Sequence, residues 1–435
     1  MRLEPKALGI EEILRRPASL PSFYRVRRPH RVETPVDAAL LTAQALGPQL
    51  SGVQPGQRIA IAVGSRGISQ IAVVVQCCVR LLKEIGAEPF IVPAMGSHGG
   101  ATAEGQTAIL AGLGIREDTV GAPILATMDT VDLVEVAPGL HAHLDAAAAA
   151  ADGILLVNRI KGHTSFDGPI ESGLAKMTAI GLGKQRGAEQ LHQRGPAQIS
   201  DRIRTVARAV ISRSPVIGGL GLVEGPTHEL HRVAFLHPEE IGEAAEVALL
   251  EEAKALEPRI PIVDIDVLIV DAIGKDKSGT GMDTNVVGRR MIRGTAEPLT
   301  PRVTNIVALG LTPASGGNAI GIGLADFVPA TVVDQIDLVS TYANALTAGL
   351  QGVQRAQIPI VLATDRDAVM AALLTASLSD TGTARIVRIR DTLTLDDLMV
   401  SEALLAECIQ AGFEIDTEID GSSMGFTDDG AITRW

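Results

Sequence analysis

Apolar and polar positions along this chain follow two periods. Continuous apolar runs at 58–63, 89–94, 153–157 and 216–223 have the length of strands, and each is followed by a polar turn containing glycine. Segments at 36–46, 68–85 and 199–212 instead carry apolar residues at helical spacing. Short strands are expected around 130–136, and the alanine run at 146–151 reads as a helix. Pro238 suits the first turn of a helix reaching Ala255, after which Pro258 and Pro261 punctuate the chain. The alternation then resumes, with strands at 267–270, 305–311, 359–364 and 385–390 and helices at 331–348, 365–376 and 395–411.

Strand, glycine-bearing turn and helix in repetition define an α/β fold with mostly parallel sheets. The pattern predicts two such domains, 1–257 and 258–412, followed by a tail, 413–435. Residues 1–55 read as an irregular arm and then a helix. Arg15, Arg16, Arg25, Arg27, Arg28 and Arg31 make the arm basic, as if to lie across an acidic surface or a second subunit.

Composition narrows the function classes. The 435 residues are 46% hydrophobic but only 2% aromatic, so the core is built from Ala, Val, Ile and Leu. A net charge of −13 without a basic stripe argues against nucleic acid, although a few arginines in a cleft can still bind a small anion. No apolar run approaches the roughly 20 residues of a membrane span, and the N-terminus lacks a signal-peptide layout, so a cytoplasmic protein is expected. Cys77, Cys78 and Cys408 form neither a disulfide framework nor a zinc spacing; the adjacent pair reads as core thiols.

Candidate chemistry concentrates in 161–192. A buried strand ending in a glycine-rich polar loop places that loop at the carboxyl edge of a sheet, where open α/β folds bind ligands. His163 lies just past the strand; Lys176 follows 13 positions on, beside Gly173 and Ala175, and His192 comes 16 positions later. Desolvation among such small neighbours favours the uncharged, nucleophilic form of an amine. At the end of the second strand His98 sits between Ser97 and Gly99, before a helix that Thr102 can cap, close to whatever that helix N-terminus binds. His141 and His143 lack a carboxylate or cysteine in a familiar metal spacing and are expected at the surface. A second polar loop, 271–290, brings together Lys275, Asp283, Asn285, Arg289 and Arg290, a set suited to an anionic ligand. Its Gly279-Thr280-Gly281 matches neither common phosphate-binding fingerprint.

Across about 58–300 these residues resemble the nickel-pincer lactate racemase family. That family has a histidine after a strand, a Gly-Gly-Arg-Lys segment and a histidine 16 residues beyond the lysine. Here Ser172-Gly173-Leu174-Ala175-Lys176 stands for the lysine segment, with a longer approach from His163, and Lys176 to His192 keeps the spacing. The resemblance implies two domains facing each other across a cleft, the tail returning to the first. It also implies a nickel-pincer nucleotide attached to Lys176, made by cofactor-synthesis proteins, with His192 as the nickel ligand and Ser97 and Gly99 beside the cofactor. His98 matches the histidine of the family's Gly-Thr-His segment and, with His163, takes the acid/base role. Arg66 falls where the family's arginine holds the substrate carboxylate, although the aspartate before it is missing. Met282-Asp283-Thr284-Asn285 matches a Leu-Asp-Gln-Asn segment, but the glutamine and lysine that follow it there are absent. Arg289 or Arg290 in place of that lysine would hold a carboxylate by a fork, implying a 2-hydroxy acid other than lactate. A homo-oligomer is compatible with this reading. Two alternatives stay open: an oxidoreductase performing net hydride transfer on a hydroxy acid, and a non-enzymatic nucleotide- or anion-binding protein.

Overall fold

The structure, a computed structural model, describes residues 20–29, 36–65, 67–193, 195, 198–416 and 421–433. Of these, 36–257 form one compact unit, and 258–433 together with 20–29 form the other. The first described strand, β1 (Ser22–Arg27), thus belongs to the C-terminal unit.

In the N-terminal unit α1 (Ala38–Leu46) precedes β2 (Arg58–Val63), α2 (Ile71–Glu84) and β3 (Glu88–Pro93). After α3 (Ala103–Gly112), β4 (Thr130–Ala137) and β5 (Leu140–Asp145) form a separate antiparallel hairpin. Then come β6 (Gly153–Arg159), α4 (Lys184–Gln193), α5 (Ile199–Ile211), β7 (Val216–Glu224), β8 (Leu230–Leu236) and α6 (Ala244–Leu256). The main sheet runs β3-β2-β6-β7-β8, parallel except for β8. Both faces are covered, which is why its strands read as unbroken apolar runs rather than as alternating ones. Ile59, Ile61 and Val63 face a core shared with α1 and α2; Ala60 and Ala62, on the opposite face, join a core shared with α5 and α6. The chain moves outward from β2 to β3 and then returns to β6 on the other side of β2. That reversal puts a topological switch point at the carboxyl ends of β2 and β6. The helix expected from Pro238 starts only at Ala244, because Gly242 adopts φ +80 after the single turn Pro238–Glu240.

The C-terminal unit contains β9 (Asp264–Val270), β10 (Arg302–Ala308), β11 (Phe327–Pro329), β12 (Ile360–Leu362), α7 (Asp365–Thr375), β13 (Ile386–Ile389) and β14 (Asp397–Ser401). Two short strands follow, β15 (Glu414–Ile415) and β16 (Ser422–Ser423). Sheet order is β12-β11-β10-β9-β13-β14-β1-β15, with β16 also on β1. From β12 to β13 it is parallel; β14, β1 and the tail strands are antiparallel.

Three expectations differ here. The helix expected over 395–411 is β14 followed by the helix Leu405–Gln410, since Leu398 and Val400 are buried in the sheet. The basic arm supplies β1, with Phe23 and Val26 buried; its Arg25 Nε bonds Asp397 at 2.8 Å and Arg27 pairs with Asp416 at 3.3 Å. Its acidic surface lies within the same chain; Arg15, Arg16 and Arg31 fall outside the described residues. Finally, the tail strands pair with β1 in this sheet rather than with the sheet of the N-terminal unit. Cys77 and Cys78 are buried and unbridged, as expected of core thiols, and Cys408 is buried and unbridged as well.

Candidate functional site

The polar loops after β2, β3 and β6 meet at the carboxyl edge of the N-terminal sheet. Ser65, just past β2, has its Oγ against Nδ1 of His98 in the loop after β3. Gly64 lies close against Asn158, since a Cβ there would come 2.6 Å from Asn158 Oδ1. Asn158, at the end of β6, donates from Nδ2 to the carbonyl of Gly173 at 2.7 Å. Thr102 caps α3 by accepting from Gly105 N at 3.0 Å. Gly99, at φ +67, packs so closely on Gly105 that a Cβ would come within 2.4 Å of its backbone. Ser97 and His98 are exposed.

Two buried carboxylates shape the loop after β6. Glu171, 1% exposed, accepts from His163 N at 2.7 Å and Gly168 N at 3.0 Å and pairs with Lys254 of α6 at 2.7 Å. The backbone N–H of Ser165 donates to Nδ1 of His163 at 3.1 Å. A backbone N–H can only donate, so neutral His163 carries its proton on Nε2. Phe166 stacks on His163 with centroids 4.3 Å apart, and Lys176 Nζ lies 5.9 Å from the centroid of the Phe166 ring. Glu246, also 1% exposed, accepts from Gly242 N at 2.7 Å and Ala175 N at 3.1 Å. Burial pushes its pKa up, against the pull of those N–H groups. A Cβ on Gly173 would sit 2.3 Å from Glu246 Oε1, which explains glycine at that position.

Lys176 closes a helical turn that runs into a π-helical segment, Met177–Gly181, a geometry frequent at functional sites. Gly181 lies against the end of β3, and a Cβ there would come 2.5 Å from Ala94 O. Lys184 then starts α4 in a left-handed conformation, φ 53, with its side chain fully buried. His192, on the last turn of α4, keeps an exposed face yet has protein packed around its ring. This burial first, then the charges of Lys176 and Arg202, lowers its pKa and favours neutral imidazole. His163, Lys176 and His192 are therefore gathered in one place, and the Ser65–His98 pair stands at the adjoining strand ends.

The other predicted residues are placed differently. Lys275 Nζ donates to Asn344 Oδ1 at 2.6 Å. Asp283 caps the turn Thr284–Val287, accepting from Asn285 N at 3.0 Å, and Asn285 Oδ1 accepts from Arg290 at 3.2 Å. Arg290 is buried, and its backbone carbonyl accepts from Arg355 at 3.0 Å. Arg289 bonds Asp326 at 2.7 Å and the carbonyls of Leu324 and Thr304, a packing arrangement rather than an open fork. Arg66 lies outside the described residues. His143 is a correction: it is buried, with Nε2 2.9 Å from Gln190, while His141 pairs with Asp132 at 2.8 Å.

Ser65, Gln106, Asn158, Phe166, Glu171, Lys184, Arg202 and Glu246 were not singled out by sequence reasoning. One signal was available: Glu246 takes the first place of an i, i+3, i+4, i+7 set completed by Leu249, Leu250 and Ala253, all buried. Among the described residues no group of three or more His, Cys, Asp or Glu side chains is arranged to hold a metal ion.

No family model and no curated protein matches this chain. Among solved structures, it is similar to a lactate racemase apoprotein from Thermoanaerobacterium thermosaccharolyticum, at 12% identity over 85% of this chain and 88% of that one, with a TM-score of 0.46. A Thermotoga maritima protein overlaps at 12% identity over 64% of this chain and 72% of that one, TM-score 0.45.

Proposed function

We propose that the chain is a racemase or epimerase of a 2-hydroxy acid that works by reversible hydride removal with a nickel-pincer nucleotide attached to Lys176. The observation that carries this reading is the gathering of His163, Phe166, Lys176 and a neutral-leaning His192 at the switch point of one sheet. The donor chemistry fits the group: Lys176 offers an amine among small buried neighbours, and His192 a neutral imidazole, the form that ligates a metal. Lys176 would hold the nucleotide and His192 the nickel; Ser97 and Gly99 lie in the loop of His98. One protein nitrogen suffices as a ligand when the pincer supplies the others.

When bound, the nickel-pincer group supplies reversible hydride acceptance, which no side chain can. The chain's own residues manage the hydroxyl proton. Removing it together with a hydride from C2 leaves a 2-keto acid; return of the hydride to the opposite face of C2, with the proton restored to the oxygen, inverts the centre. A base is needed on each face, and two histidines can alternate as base and acid. Neutral His163, with its proton on Nε2, can hydrogen-bond an oxygen from that nitrogen; to return a proton as an acid it must be the imidazolium, in which Nδ1 no longer accepts from Ser165 N. His98 is set to accept at Nε2 when its Nδ1–H points to Ser65. Within the C-terminal unit the Arg289 guanidinium is already engaged by Asp326 and the Leu324 carbonyl, so it is not kept as a carboxylate fork.

The test is intact-protein mass with nickel analysis, on protein made in a host that synthesises the pincer. An added mass absent from Lys176→Ala, and near-stoichiometric nickel lost in His192→Ala, are expected. An unmodified, nickel-free chain would overturn the reading.

A further inference from the structure

A buried array joins the loop of His98 to the segment of Lys176. Lys184 and Asp145 are both fully buried and pair at 3.0 Å. The Lys184 amine also donates to the carbonyl of Pro93, at the end of β3, and to Gln106 Oε1 at 3.0 Å. An ammonium has donors and no acceptor, so both hydrogen-bond partners of Lys184 must present an oxygen. This settles which way the Gln106 amide points, because only its oxygen can face a donor. Its NH2 must then face the other way, where it meets the carbonyls of Gly96 at 2.8 Å and His98 at 3.3 Å. Gly96 N bonds in turn to Gly181 O at 3.1 Å, so the same loop is tied to the π-helical segment that follows Lys176.

We infer that Gln106, oriented by the Lys184–Asp145 pair, is a positioning residue that holds the His98 backbone and so directs the His98 ring toward Ser65. Its functional consequence rests on the proposed acid/base role of His98; its geometric content does not. An apolar core would stabilise this region without fixing a loop, whereas a directed donor pair on the Gly96 and His98 carbonyls fixes the backbone from which the ring reaches Ser65. Lys184 and Asp145 are fully buried and act through Gln106.

The test uses the full chain without cofactor. Selective ring labelling of the nine histidines, with His98 assigned from His98→Ala, reads the tautomer of each ring by NMR. Wild type should show His98 in a single Nδ1-bonded tautomer that collapses to the averaged imidazole signal in Ser65→Ala. Gln106→Leu, neutral and close in volume, should produce the same collapse at His98 while His192 keeps its signal. An unchanged His98 in folded Gln106→Leu would overturn the inference. Should that variant not fold, the wild-type side-chain amide of Gln106 decides: both protons should exchange with solvent at least a thousandfold more slowly than a free amide, and free-amide exchange would overturn it. Neither readout needs nickel or the pincer, so a cofactor-free protein sinks the proposed function and leaves this inference to stand or fall alone.

Discussion

At the scale of single residues, the site is organised by buried carboxylates that accept from the main chain. Glu171 is the clearest case, because its two oxygens serve His163 N, Gly168 N and Lys254 together. Glu171→Ala leaves two N–H groups without their acceptor and takes from Lys254 its nearer carboxylate, a loss larger than that of a surface ion pair. The expected loss is about 3 kcal/mol, read from urea unfolding. The His163 ring signal should also shift, and unchanged stability together with an unchanged ring would contradict the assigned role. Glu171 lies within the stretch that sequence reading singled out, but its role was invisible there. A carboxylate in a glycine-rich loop reads equally well as solvated until Lys254, from a distant helix, is placed against it.

At the scale of elements, glycines set how closely the pieces approach. Gly181 is the position where this matters most, since the carbonyl of Ala94 fills the space a side chain would need. Gly181→Ala would push the π-helical segment from the end of β3, with a cost of about 1 to 3 kcal/mol typical of overpacking. It should lower the unfolding midpoint and loosen the Gly96–Gly181 bond, seen as faster amide exchange at Gly96. Gly195→Ala, at φ +75 with open space around its Cβ, tests backbone strain without a clash and should leave Gly96 exchange unchanged. Equal effects at the two sites would count against the close-approach account.

For the whole molecule, two histidines contribute to the pH dependence of stability near neutrality. Burial lowers the pKa of both His143 and His192 below the usual value. Each therefore binds fewer protons folded than unfolded, so stability is fully present above about pH 6.5 and is lost as pH falls toward the native values. The urea midpoint should drop between about pH 7.5 and about pH 5.5, and His143→Gln should make the drop shallower. An equal drop in both proteins would show that His143 is not a source of it. No described helix is long and apolar enough to cross a membrane, and the two units each fold around their own cores.

The sequence by itself determined the parallel strands and the helices that cover them. A strand buried on both faces leaves a local trace, an unbroken apolar run such as Ile59 to Val63 ending at a glycine turn. It also marked His98, His163, Lys176 and His192, because each lies near the end of a recognisable element. Only the tertiary structure decided what depends on partners far along the chain. β1 is a strand because β14, more than 370 positions away, pairs with it and supplies Asp397 to Arg25. Asp397–Ser401 carries apolar residues that fit a helix or a strand, and the neighbouring strands β13 and β1 select the strand. Lys184, Asp145 and Gln106 come from three separate elements, and no spacing announces that a buried ammonium will join them. Burial and hydrogen bonding are properties of assembled neighbours, so they became legible only when the loops met at one sheet edge.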